Sequence, residues 1–215
     1  MIENVVNKLI PNDATRELRA YLLSDSVTET STEFVPMAAA SSVLGVTTQT
    51  MKLRIREGKL NAKTFFVIEP DRKSWAGVEA GSLKSLLEEK ERRRARIKHN
   101  VDLCASKGVY MNYSQVMNDV GMDWHSPPDR KYINQVLEEI NHQSFKETID
   151  AGSPCLKGCV VVSINEGIPT DSFFRCAVEL GVCEVADIEN LTHRREFWQE
   201  QFDLTKQVYG GSYEQ

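Results

Sequence analysis

The stretch Thr47-Thr48-Gln49-Thr50-Met51-Lys52-Leu53-Arg54-Ile55-Arg56 carries the side chains best suited to grip a polyanion. Thr48, Gln49, Lys52 and Arg56 fall on one face of a helix, because residues three and four apart are neighbours on its surface. A Gln amide pairs with an adenine edge and an Arg fork with guanine, while Lys and Thr reach phosphate oxygens. Thr47 and Arg54 flank that face, and Lys59, Lys63, Arg72 and Lys73 follow within the next 20 residues. These ten residues form the expected contact set for a duplex, with residues 47–57 as the helix that enters the major groove.

The charge distribution points the same way. Of 215 residues, 26 are Lys or Arg and 31 are Asp or Glu, a net charge of −5. Residues 51–100 alone hold 14 cations against 7 acids, or +7, and the rest hold 12 against 24, or −12. A basic middle between acidic ends is a local footprint that the total conceals.

Other chemistry is thinly represented. The cysteines stand at 104, 155, 159, 176 and 183, an odd number. With no signal-like N-terminus and no long apolar run, reduced thiols and a cytoplasmic location are expected. Cys155 and Cys159 lack a second Cys or His pair at zinc-finger spacing, and His99, His125 and His193 are isolated, so neither a metal site nor a cofactor is expected. No Gly-rich phosphate loop or Ser/His/Asp pattern appears. The expectation is therefore a protein that is not an enzyme and has no catalytic residues, although a nuclease could hide among scattered acids.

The elements that must position the contact set can be read from punctuation. Pro36 suits a helix start, Met37, Ala40 and Leu44 share a face, and Gly45 can take the left-handed conformation that stops the helix. Thr47 can cap the next helix, Met51 and Ile55 point inward, and Gly58 ends it. Thr64 to Ile68, a Pro70-Asp71 turn and Lys73 to Val78 then read as a hairpin wing, with Arg72 and Lys73 at its tip. Leu44-Gly45-Val46 and Arg56-Glu57-Gly58-Lys59-Leu60, within 34–80, resemble MerR and excisionase-type winged helix-turn-helix domains. That resemblance implies a recognition helix in the major groove and a wing on the backbone. One departure is that Leu53 and Arg54 stand where the family often has an aromatic.

Four further segments complete the organisation. Residues 1–33 read as short helices and a polar linker at 24–33, and 81–107 as a basic connector helix. Leu83, Leu86 and Leu87 give that helix a short stripe, and Arg92, Arg94 and Arg96 could add phosphate contacts. Residues 108–184 read as helix, turn, helix and an apolar strand at Cys159–Ile164. With Arg130 and Pro154-Cys155, this order weakly resembles the C-terminal winged helix of O6-alkylguanine alkyltransferases, but Leu156 and Lys157 replace the His and Arg after the cysteine. The thiolate that alkyl transfer needs is therefore not expected. Phe173 and Phe174 are assigned to the core. Residues 185–215 read as a C-terminal helix and tail, whose Ile188, Trp198 and Phe202 stripe suits either the chain's own core or a homodimer or protein partner.

The expected fold is mainly α with small β wings (α+β): two winged-helix-like units joined by a basic helix, plus a C-terminal helix. The expected function is sequence-specific double-stranded DNA binding, as a transcription regulator or an excisionase-like architectural factor of a mobile element. The alternative is a protein-interaction adaptor or antitoxin of a phage, plasmid or defence system that uses the helix-turn-helix to bind a partner.

Overall fold

A computed structural model describes residues 13–66 and 74–211. The chain is mainly helical with little strand, and it divides into two compact units, 1–92 and 93–215.

The first unit runs α1 (Asp13–Leu22), β1 (Phe34–Pro36), α2 (Met37–Leu44), α3 (Thr48–Arg56), β2 (Ala62–Phe66) and β3 (Ser74–Glu79), then the start of α4 (Ala80–Lys107). The strands form an antiparallel sheet in the order β1-β3-β2, with Val35 opposite Val78 and Phe65 opposite Trp75. Period-2 alternation turns Val35 and Val78 into the core and puts Phe65, Trp75 and Gly77 on the other face. There Phe65 and Trp75 stack with centroids 4.4 Å apart, and Phe34 meets Phe65 edge-on at 5.0 Å. A Cβ at Gly77 would come within 3.0 Å of the Trp75 and Phe65 rings and of Phe34 Cβ, so the glycine admits the cluster and these side chains cover its bare backbone.

The core of this unit joins Leu22, Val27, Val35, Ala40, Val43, Leu44, Met51, Leu60, Val78, Leu83 and Leu87. Two expectations change here. Residues 24–33 are not a free linker, because Val27 is buried in that core and the backbone is tied to α4. Gly81 N–H donates to Ser31 O, Ala80 N–H to Glu33 O and the Lys84 ammonium to Ser24 O. A side chain at Gly81 would put its Cβ 2.3 Å from the Glu29 carbonyl oxygen, so only glycine permits this approach. Nor is α4 a solvated connector. Leu83 and Leu87 are buried in the first core, and Ile97, Val101, Cys104 and Ala105 in the second.

The second unit continues with β4 (Met111–Asn112), α5 (Tyr113–Asp119), α6 (Pro127–Thr148), β5 (Val161–Val162), α7 (Asp171–Glu179) and α8 (Leu191–Tyr209), with 3₁₀ turns at Ile149–Ala151, Lys157–Val160 and Val185–Ile188. The expected strand over 159–164 is mostly absent. Residues 157–160 form a 3₁₀ turn, and only Val161 and Val162 pair, in parallel, with Met111 and Asn112. Side chains hold the turn at its start, where Asn141 Oδ1 accepts from Gly158 N–H at 2.7 Å and Ser144 Oγ from Lys157 N–H at 3.0 Å, and at its far end Ser163 N–H turns to Ile168 O at 2.7 Å. Among the described residues this unit has no antiparallel hairpin, and so no wing.

The stripe on α8 is already occupied. Phe197 and Phe202 are buried in the second core with Phe173 and Phe174, and Trp198 Nε1–H donates to Cys159 O at 2.9 Å. The apolar face that suggested a homodimer or protein partner through the C-terminal helix serves the chain's own interior. Among the described residues no helix is long and apolar enough to cross a membrane.

Candidate nucleic-acid interface

The geometry of α2 and α3 follows from three residues. Gly45 ends α2 at φ +62°, a left-handed conformation that costs other residues about 1–2 kcal/mol. Its N–H and that of Val46 return to Ser42 O and Ser41 O, closing the turn. Thr47 then caps α3, its Oγ1 accepting from Thr50 N–H at 3.1 Å. Such a cap contributes about 1 kcal/mol. The turn is also held from outside, because the Lys90 ammonium on α4 donates to Leu44 O at 2.8 Å. A cation at a helix C-terminus satisfies a carbonyl that the helix leaves open and complements the dipole there.

Met51 anchors α3 with none of its surface exposed, and Ile55 packs partly buried beside it. That anchoring sets the outward face. Thr47, Thr48, Gln49, Lys52 and Arg56 are exposed and Arg54 is half-buried. Among the described residues Lys52, Arg54 and Arg56 enter no ion pair. Their charge is therefore not neutralised by those neighbours. The last turn of α3 holds Arg54 and Arg56, where the helix dipole favours cations.

The remaining expected contacts divide. Lys59 is exposed but pairs with Glu57 at 2.9 Å, which weakens its claim on a phosphate. Lys63 lies on β2, exposed, with its ammonium 5.7 Å from the Phe65 ring centroid. Arg72 and Lys73 lie outside the described residues, as does the tip of the expected wing.

The basic run on α4 does not extend this surface as expected. Arg94 lies 2.7 Å from a Glu139 oxygen, and Arg96 holds Asp119 through two hydrogen bonds of 2.6 and 3.2 Å. The Arg96 guanidinium and the Asn100 amide hold the Asp119 carboxyl down at about 2. Lys84 pairs with Glu88, and Arg19 pairs with Glu91 on the same helix. Arg94 and Arg96 thus tie α4 into the second unit, and of the three arginines proposed for phosphate only Arg92 is exposed without a partner among the described residues.

The cysteines hold no activated thiol among them. Cys155 is fully buried, its sulfur 3.0 Å from Thr205 Oγ1, and Cys159 Sγ lies 3.2 Å from the same hydroxyl. Burial pushes both thiols up, and Cys104, Cys176 (to about 12) and Cys183 (to about 11) likewise. A nucleophilic cysteine needs the opposite shift. Comparison with protein-family models, with curated proteins and with solved structures finds no match to this chain.

Proposed function

We propose that this chain is a sequence-specific double-stranded DNA-binding protein, a transcription regulator or an excisionase-like architectural factor, that lays α3 in the major groove. The observation that carries the reading is one helix face. Gln49, Lys52 and Arg56 stand exposed on a capped helix, and its cations are left unpaired by the described residues. Similarity of the helix-turn-helix punctuation to MerR and excisionase-type domains supports it, with β2 and β3 in the place of the wing. Burial of Cys155 and Cys159, which pushes their thiols up, speaks against cysteine alkyl transfer. The adaptor or antitoxin alternative has lost one support, because the stripe on α8 is taken up by the chain's own core.

The direct experiment is retardation of a random duplex pool by the full chain, followed by sequencing of the bound fraction and titration at several salt concentrations. A consensus should emerge, and log affinity should fall with log salt by about 0.9 for each phosphate charge neutralised. Lys52→Ala and Arg56→Ala should each weaken binding about tenfold or more, in line with the loss of a good base or phosphate contact. Unchanged affinity in both variants rejects the site.

A further inference from the structure

The exposed face of α3 carries one side chain of the wrong polarity for a surface that grips phosphates. Leu53 is 47% exposed, although its helix buries Met51 completely and could have turned an apolar residue inward. Residues 49, 52, 53 and 56 follow the spacing i, i+3, i+4, i+7, so Leu53 sits in the middle of a stripe made with Gln49, Lys52 and Arg56. A solitary exposed leucine is ordinary on a protein surface. This one is flanked by Lys52 and Arg54, with Arg56 less than a turn away, and none of the three cations is neutralised by a described acid. A partner that engages the whole stripe is anionic and offers a small apolar group among hydrogen-bonding edges.

The major groove of DNA has that composition. Its only methyl group is the C5-methyl of thymine, and the adenine paired with it presents the N6 and N7 edge that a Gln amide reads. We propose that Leu53 selects thymine by covering its C5-methyl while Gln49 reads an adenine edge nearby. Residues four apart on a helix are separated by about 6 Å along its axis, against about 3.4 Å per base along a strand. The thymine therefore lies within about two base pairs of the base that Gln49 contacts, which places an A·T pair inside the sequence that α3 reads. This inference rests on the DNA-binding reading and adds to it the base that the helix selects.

The test uses the full chain and the consensus duplex from the random pool. Each thymine is replaced in turn by deoxyuridine, which removes the methyl and leaves every hydrogen-bonding atom in place. At the position that Leu53 covers the loss should be about three- to fivefold, the factor that removing one buried methyl represents. Leu53→Ala should bind the thymine and deoxyuridine duplexes equally and should keep the thermal midpoint of the parent, because the residue packs into no core. Equal binding of every substituted duplex by the parent overturns the inference and leaves the DNA-binding reading standing. Persistence of the deoxyuridine penalty in Leu53→Ala also overturns it, since another group must then cover the methyl. If the parent retains no duplex from the pool, both readings fall together.

Discussion

The two units use polar side chains in opposite directions. In the first, Gln49, Lys52 and Arg56 leave the fold through an exposed helix face. In the second, Asn141, Ser144, Thr148, Gln201 and Thr205 are buried, and they bind the backbone or the sulfurs of the segment 154–159. Cys155 N–H donates to Thr148 Oγ1 at 2.8 Å and Leu156 N–H to Gln201 Oε1 at 3.0 Å, so that segment is fixed by side chains where a longer strand would use a ladder. The arginines of α4 make the same distinction within one helix. Arg94 and Arg96 sit in the most basic run of the chain, yet both face acids of their own fold. A cation's sequence neighbourhood says little about its role until its partner is known.

The contrast can be broken or sharpened by variants whose effects fall on different observables. The largest loss of stability is expected for Met51→Ala, which empties the anchor of α3. Removal of a fully buried methionine should cost about 2–5 kcal/mol and take duplex binding with it. Chemical denaturation followed by retardation checks both, and full binding with a large stability loss would detach the face from its anchor. Next comes Asn141→Ala, which strips the acceptor from the Gly158 N–H. Leaving a buried donor unsatisfied should cost roughly 1–3 kcal/mol, with duplex affinity unchanged after correction for the folded fraction.

A smaller and pH-confined effect is expected at Asp119. Its carboxyl is held below the unfolded value of 3.8, at about 2, so its contribution is present above pH 4. That contribution is lost as pH falls from about 4 to about 2. Asp119→Asn should flatten the acid limb of a stability profile over that interval and change little at neutral pH. The smallest effect on stability belongs to Lys52→Ala combined with Arg56→Ala. Both residues are exposed and unpaired among the described residues, so the thermal midpoint should shift by an amount corresponding to less than about 0.5 kcal/mol. A large drop in that midpoint would mean that the cations hold the fold together, and the comparison between the units would lose its meaning.

How much could be read from the chain itself follows from the range of the interactions. Gly45, Thr47 and Gly58 act on their own backbones, so the two short helices and the turn between them were legible. The strands of the hairpin were legible from their composition, within a few residues of their ends. The burial of 24–33 was hidden, because a single apolar residue, Val27, anchors a stretch otherwise made of Ser, Thr and acids. Pairing of Arg96 with Asp119 and of Arg94 with Glu139 spans 23 and 45 residues, and no local pattern announces it. The strand expected over 159–164 is shortened for the same reason, since Asn141 and Ser144, which hold the turn at its start, lie on α6.

Helix α4 contributes Leu83 and Leu87 to one interior and Ile97, Val101 and Cys104 to the other. The stretch of α4 between Leu87 and Ile97, where the two units divide, is therefore the place at which recombination would leave both interiors whole. A crossover within 83–87 or 97–105 would hand a descendant an interior missing part of its wall, unless the incoming segment supplied the same apolar positions.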